Sequence, residues 1–159
     1  MKIIFLDIDG VLNSSSSCDR AVLRNSVFRD NPDPEHIKWL NLIIEKSGAK
    51  VVISSTWRKN CSSSVMWRLL DLQGFKGEVI SRTPELDDIR GNEIRCWIDR
   101  YHNGRNWALN HLFRKHKLIE SFVILDDDSD MGALADRLLL VKDGLTEKDA
   151  LRAIDMLSS

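Results

Sequence analysis

Three short apolar runs in this chain each stop on a cluster of polar residues. Ile3-Ile4-Phe5-Leu6 ends at Asp7-Ile8-Asp9, Val51-Val52-Ile53 at Ser54-Ser55-Thr56, and Phe122-Val123-Ile124-Leu125 at Asp126-Asp127-Asp128. A short continuous apolar run rich in strand formers fits a parallel strand buried on both faces. Glu78-Val79-Ile80 and Leu138 to Val141 add two weaker strands. Helical patterns lie between them. Asp33-Pro34 supplies an N-cap and a first-turn proline for a helix with Ile37, Leu40 and Ile44 on one face and Gly48 as its stop. Ser62 to Ser64 cap a second helix, with Val65, Leu69 and Leu72 inward. Asn92 caps a third, carrying Ile94, Trp97, Ile98 and Tyr101. Thr146 to Asp149 matches a capping box before a last helix that buries Leu151, Ile154 and Leu157.

Strands alternating with helices predict an α/β fold: a three-layer, Rossmann-like domain with a mostly parallel five-stranded sheet and right-handed crossovers. In such sheets ligands bind outside the carboxyl ends of the strands. The three polar clusters should therefore converge on one crevice.

The chain has 159 residues, enough for one domain over 1–159 and too few for two of typical size. A net charge of -1 carries no global signal for nucleic acid or membrane. Cys18, Cys61 and Cys96 are odd in number and have neither disulfide-framework nor zinc spacing, which fits a reducing cytoplasm. The apolar run after Met1-Lys2 is too short for a signal sequence, and no segment approaches the ~20 apolar residues of a membrane helix.

Acidic residues at the end of a buried strand are costly unless they find partners, and carboxylates from two strands would repel one another in the crevice. A hard divalent cation resolves this, and oxygen ligands with an anionic substrate point to magnesium. A carboxylate can attack phosphorus to form an aspartyl-phosphate, and a second one two residues along can serve as acid and then base. The Ser54 hydroxyl and a basic side chain can neutralise the transferring group. Gly10 lets the chain turn sharply beside the substrate.

These residues in this order resemble the haloacid dehalogenase (HAD) superfamily. Asp7-Ile8-Asp9-Gly10-Val11-Leu12 looks like its first signature, Ser54 its second and Asp126-Asp127 its acidic fourth. The resemblance implies Asp7 as nucleophile and Asp9 as general acid/base. It also implies magnesium held by Asp7, the Asp9 backbone carbonyl and Asp127 or Asp126, with Asp130 a further acid nearby. The third signature is one basic residue. Arg90, next to a helix N-terminus, is favoured over Arg82, Arg95 and Lys117, which read more easily as surface charges. Gly10, Ser55 and Arg58 are expected at the substrate.

Ser54-Ser55-Thr56-Trp57-Arg58, Arg90 to Trp97 and Gly144-Leu145-Thr146 resemble the small HAD domains associated with RNA-repair proteins. That implies a phosphatase acting on a terminal phosphate of a nucleic acid or nucleotide. The alternatives are a phosphatase of small phosphometabolites and a metal-binding module without catalysis. A response-regulator receiver is the wrong match, because its phosphoryl aspartate follows a middle strand that here ends in serine. The stretch Asn13 to Asn31 with one helix, and the single helix and strand after Ser54, leave room for minimal or no cap. The resulting open crevice suits macromolecular ends as well as small molecules. Arg105, Trp107, Arg114, Lys115 and Lys117 form a basic segment that can contact a phosphate backbone or lie on a solvated amphipathic helix. Trp39 and Trp97 read as core. His36, His102, His111 and His116 read as surface residues.

Overall fold

The computed structural model describes residues 1–15, 32–86, 88–102 and 118–158. Cys18, the basic segment from Arg105 to Lys117, and His111 and His116 lie outside the described residues. The strands are β1 (Lys2–Leu6), β2 (Lys50–Ile53), β3 (Val79–Arg82), β4 (Ser121–Asp126) and β5 (Leu138–Leu140). Among the described residues four helices pack on them: α1 (Pro34–Ser47), α2 (Ser63–Leu72), α3 (Arg90–His102) and α4 (Glu147–Ser158). The sheet order is β3-β2-β1-β4-β5, and every pairing is parallel, so the expected mostly parallel sheet is parallel throughout.

Register places the site. Leu6 pairs with Ile53 on one side and with Leu125 on the other, so the three apolar runs end level with one another. The ladder continues one step, with the Ser54 amide donating to the Leu6 carbonyl (2.9 Å) and the Asp7 amide to the Leu125 carbonyl (3.0 Å). Alternation along a strand then decides direction. Ile4, Leu6, Val51, Ile53, Val123 and Leu125 share a core with α1, α2 and α4. Ile3, Phe5, Val52 and Ile124 face α3, whose Ile94 and Trp97 complete a second core. Phe5 meets Trp97 edge-on at 5.4 Å between ring centroids. By the same period, Asp7, Ser54 and Asp126 fall on the α3 side of the sheet.

The helix ends follow local chemistry. Asp33 caps α1 by accepting from the Glu35 amide, Pro34 opens the first turn, and Gly48 closes the helix at φ 67°. Thr146 and Asp149 form the reciprocal capping box of α4. Several expected faces are corrected. In α2, Met66 and Leu70 are buried, whereas Val65 and Leu72 are 47% and 70% exposed. Both sets have helical spacing, and the sheet covers only the narrower stripe. Leu151 is likewise exposed, and α4 packs through Ala150, Ala153 and Leu157 because small residues let it lie close to the sheet. Helix α3 begins at Arg90, so Asn92 is not its cap. Its amide group donates to Asp88. The Asp130 carboxylate, from the loop after β4, accepts from the Arg90 amide at 3.1 Å and takes the capping role.

Candidate active site

The loops after β1, β2 and β4 and the first turn of α3 build one acidic centre. Arg90 Nη1 lies 2.7 Å from Asp7 Oδ2 and 2.7 Å from Asp126 Oδ2. The three side chains are nearly enclosed, Asp126 completely. Of the four basic candidates, Arg90 reaches the acids. Arg82 instead donates to the carbonyls of Arg58 and Cys61, Arg95 is exposed on α3, and Lys117 lies outside the described residues. Gly91 makes this approach possible, because a Cβ there would overlap the backbone carbonyl of Met131.

The electrostatics follow from crowding. Burial, then the charge of Asp7, push the Asp126 carboxyl up to about 7, although Arg90 opposes the shift. Asp127 is raised by partial desolvation and by Asp7. Burial works against the Arg90 cation, but Asp7 and Asp126 together outweigh it and hold its pKa above the usual value. Oxygens of Asp7, Asp126 and Asp127 lie within 4.8 Å of one another, a donor set of hard carboxylates that fits a small divalent cation. Asp130 is not part of that group, and its Oδ2 accepts from the Arg90 amide at the α3 terminus. Gly10 lets Asp127 lie against the first loop: its φ is +71°, and a Cβ would collide with the Asp127 carboxylate.

The Ser54 hydroxyl is fully buried and has no hydrogen-bond partner among the described residues. Buried hydroxyls are rarely left so, and one beside a cluster of acids suits an anionic oxygen. Ser55 and Arg58, expected at the substrate, are used within the fold. Ser55 accepts from the Trp57 amide and caps the short 3-10 turn Thr56–Lys59. Arg58 Nη1 donates to the carbonyls of Ser54 and Ser55 at 2.8 Å each, and its Nη2 pairs with Glu93 of α3. That buried pair ties the serine loop to the helix carrying Arg90.

Asp9 stands apart, exposed at the rim, with one carboxylate oxygen taking the Trp57 indole N–H at 2.9 Å and the other the Asn13 amide at 2.8 Å. Beside it a cavity of about 440 Å³ opens between the first loop, Asp127 and Asp143. Next to Asp143, the Gly144 amide donates to the Gly10 carbonyl at 2.8 Å. Here His36 corrects its surface assignment. It is buried, and its ring nitrogens meet the Leu145 carbonyl (2.9 Å) and Ser14 Oγ (3.2 Å). A histidine on an amphipathic helix gives no local sign of partners more than twenty and more than a hundred residues away. The contacts of Trp57 with Asp9 and of Glu93 with Arg58, 48 and 35 residues apart, went unread for the same reason.

A parallel sheet in this order, with an Asp-x-Asp loop after its central strand and a basic residue brought in by a helix, defines a Rossmann-like HAD domain. The model of the family described as the HAD domain in Swiss Army Knife RNA repair proteins matches residues 3–150, and the chain belongs to that family. No curated protein matches the sequence significantly. No helix among the described residues is long and apolar enough to cross a membrane.

Proposed function

We propose that this domain is a magnesium-dependent phosphohydrolase that removes terminal phosphates from nucleic acids or nucleotides. The Arg90 guanidinium shared by Asp7 and Asp126, beside the unpartnered hydroxyl of Ser54, is the observation that carries the reading. Asp7, Asp126 and Asp127 would hold the ion, with the Asp9 backbone carbonyl as a further ligand. When bound, magnesium would supply positive charge that offsets these acids and the charge of the phosphoryl group.

The Asp7 carboxylate attacks phosphorus as the bond to the leaving oxygen breaks, and Asp9 gives that oxygen its proton. Asp9 then takes a proton from water, whose oxygen attacks phosphorus and returns Asp7 as carboxylate with free phosphate. Ser54 and Arg90 bind the phosphoryl oxygens during both transfers. The family's RNA-repair association supports a nucleic-acid end as substrate. From β2 to β3 the chain forms only the 3-10 turn and α2, too little for a large cap over the crevice on that side.

Phosphate release is measured with magnesium from 3′- and 5′-phosphorylated oligonucleotides, nucleotides and sugar phosphates. Turnover of oligonucleotide ends that is lost in Asp7→Asn and in chelator is expected. Unchanged turnover in Asp7→Asn would falsify the mechanism, and activity confined to sugar phosphates would reject the substrate class.

A further inference from the structure

We infer that Trp57, with Asn13, is the positioning residue that aims Asp9 at the leaving oxygen; the inference rests on the phosphohydrolase reading above. An exposed aspartate has no packing to choose its rotamer, and Asp9 is exposed. Two donors reach its two oxygens from different directions: the Trp57 indole N–H at 2.9 Å and the Asn13 amide at 2.8 Å. Together they fix both side-chain torsions.

Each donor is itself held. Asn13 is buried, and its Oδ1 accepts from the Gly10 amide at 3.1 Å, which leaves its NH₂ for Asp9. Trp57 rides on a turn capped by Ser55, whose carbonyl Arg58 grips at 2.8 Å, and Arg58 is anchored by Glu93. The indole therefore reaches Asp9 from a rigid part of the serine loop. Tryptophan Nε1 can only donate, so the contact requires an acceptor and suits a carboxylate. A proton donor held in a near-attack geometry gains most of its rate from orientation, and a loosened one loses it.

This role has a signature that a merely structural one lacks. An alcohol leaves as alkoxide only when protonated in flight, whereas an acidic phenol needs no acid. The kcat/KM ratio reads the steps up to departure of the leaving group. In Trp57→Phe, which keeps an aromatic ring and removes the N–H, kcat/KM for a nucleoside monophosphate should fall by about 10- to 100-fold. For 2,4-dinitrophenyl phosphate it should stay within about twofold, because protonation no longer limits that step. In an Asp9→Asn background, Trp57→Phe should add nothing, since both changes act on one proton transfer. The indole N–H resonance assigned by its absence from Trp57→Phe should shift in Asp9→Ala, which reads the contact without turnover.

Equal losses on both esters, an additive loss in the Asp9→Asn background, or an unmoved indole resonance overturns the inference. Wild-type protein inert toward both esters overturns the phosphohydrolase reading, and with it this role.

Discussion

Replacing Glu93 by glutamine removes one charge from a pair whose side chains are 4% and 5% exposed. Elsewhere on the Arg58 guanidinium only neutral carbonyls are met among the described residues. Nη1 is taken by the Ser54 and Ser55 carbonyls, and Nε has no partner among the described residues. Glutamine can still accept from the Leu86 amide, which Glu93 Oε1 does at 3.0 Å. Its NH₂ then faces the N–H of Arg58, and the cation is left buried without a counter-charge. Breaking a buried pair from one side costs about 3–5 kcal/mol. For a domain of this size each kcal/mol moves Tm by about 2–4 °C, so Glu93→Gln should melt about 6–20 °C lower. Differential scanning calorimetry reads this directly. The double replacement Arg58→Met with Glu93→Leu should recover most of the loss, because no lone charge remains. A fall in Tm under about 2 °C, or a double variant as unstable as the single one, refutes the assignment of a buried, mutually dependent pair.

Asp126 predicts a pH dependence of stability in chelator. Its carboxyl is raised from 3.8 to about 7, so the folded state holds a proton that the unfolded chain releases. Its stabilising contribution is complete below about pH 4 and lost as pH rises through about 7, and Tm should fall across that window. Thermal melts of Asp126→Asn should lack this component, and parallel profiles for the two proteins would contradict it. Ser54→Ala separates stability from function. Removing an unsatisfied buried hydroxyl should leave Tm unchanged or higher, while kcat falls about 10²–10³-fold with the loss of one phosphoryl contact. A destabilised Ser54→Ala variant would mean that the hydroxyl supports the fold.

Strand identity and the convergence of the three clusters were legible because both are local properties. An apolar run bounded by polar residues marks a buried parallel strand, and level run ends follow once neighbouring strands pair in register, as Leu6 does with Ile53 and Leu125. The basic partner of the acids was legible only as a choice among four residues, and tertiary placement separates Arg90 from Arg82. Helix faces were less secure. On α2, Val65-Leu69-Leu72 and Met66-Leu70 are both plausible stripes, and which one meets the sheet is decided by how the helix rolls against it. Side chains turned to internal use were illegible. Arg58, four residues after Ser54, reads as a substrate contact, yet its partner Glu93 is 35 residues away on another element.

The charges of the centre argue for binding in concert. Asp7, Asp126 and Asp127 offer three carboxylates to the single guanidinium of Arg90, and a phosphate monoester would bring further negative charge into the same space. Burial first, and then the charge of Asp7, raise the Asp126 carboxyl to about 7, and the second of these causes belongs to that excess. A divalent cation relieves the repulsion among the acids, and the substrate's oxygens then meet a field that attracts them. The two ligands should therefore help each other, and linkage requires each to tighten the other by the same factor. In the unaltered protein, isothermal titration of magnesium should show a lower Kd in the presence of an oligonucleotide ending in a non-hydrolysable phosphonate. Titration of the oligonucleotide should gain equally from magnesium. The coupling should be about 5- to 150-fold, corresponding to about 1–3 kcal/mol. Independent binding of the two would mean that the three acids and the phosphate site do not share one field, and that Arg90 alone neutralises the centre.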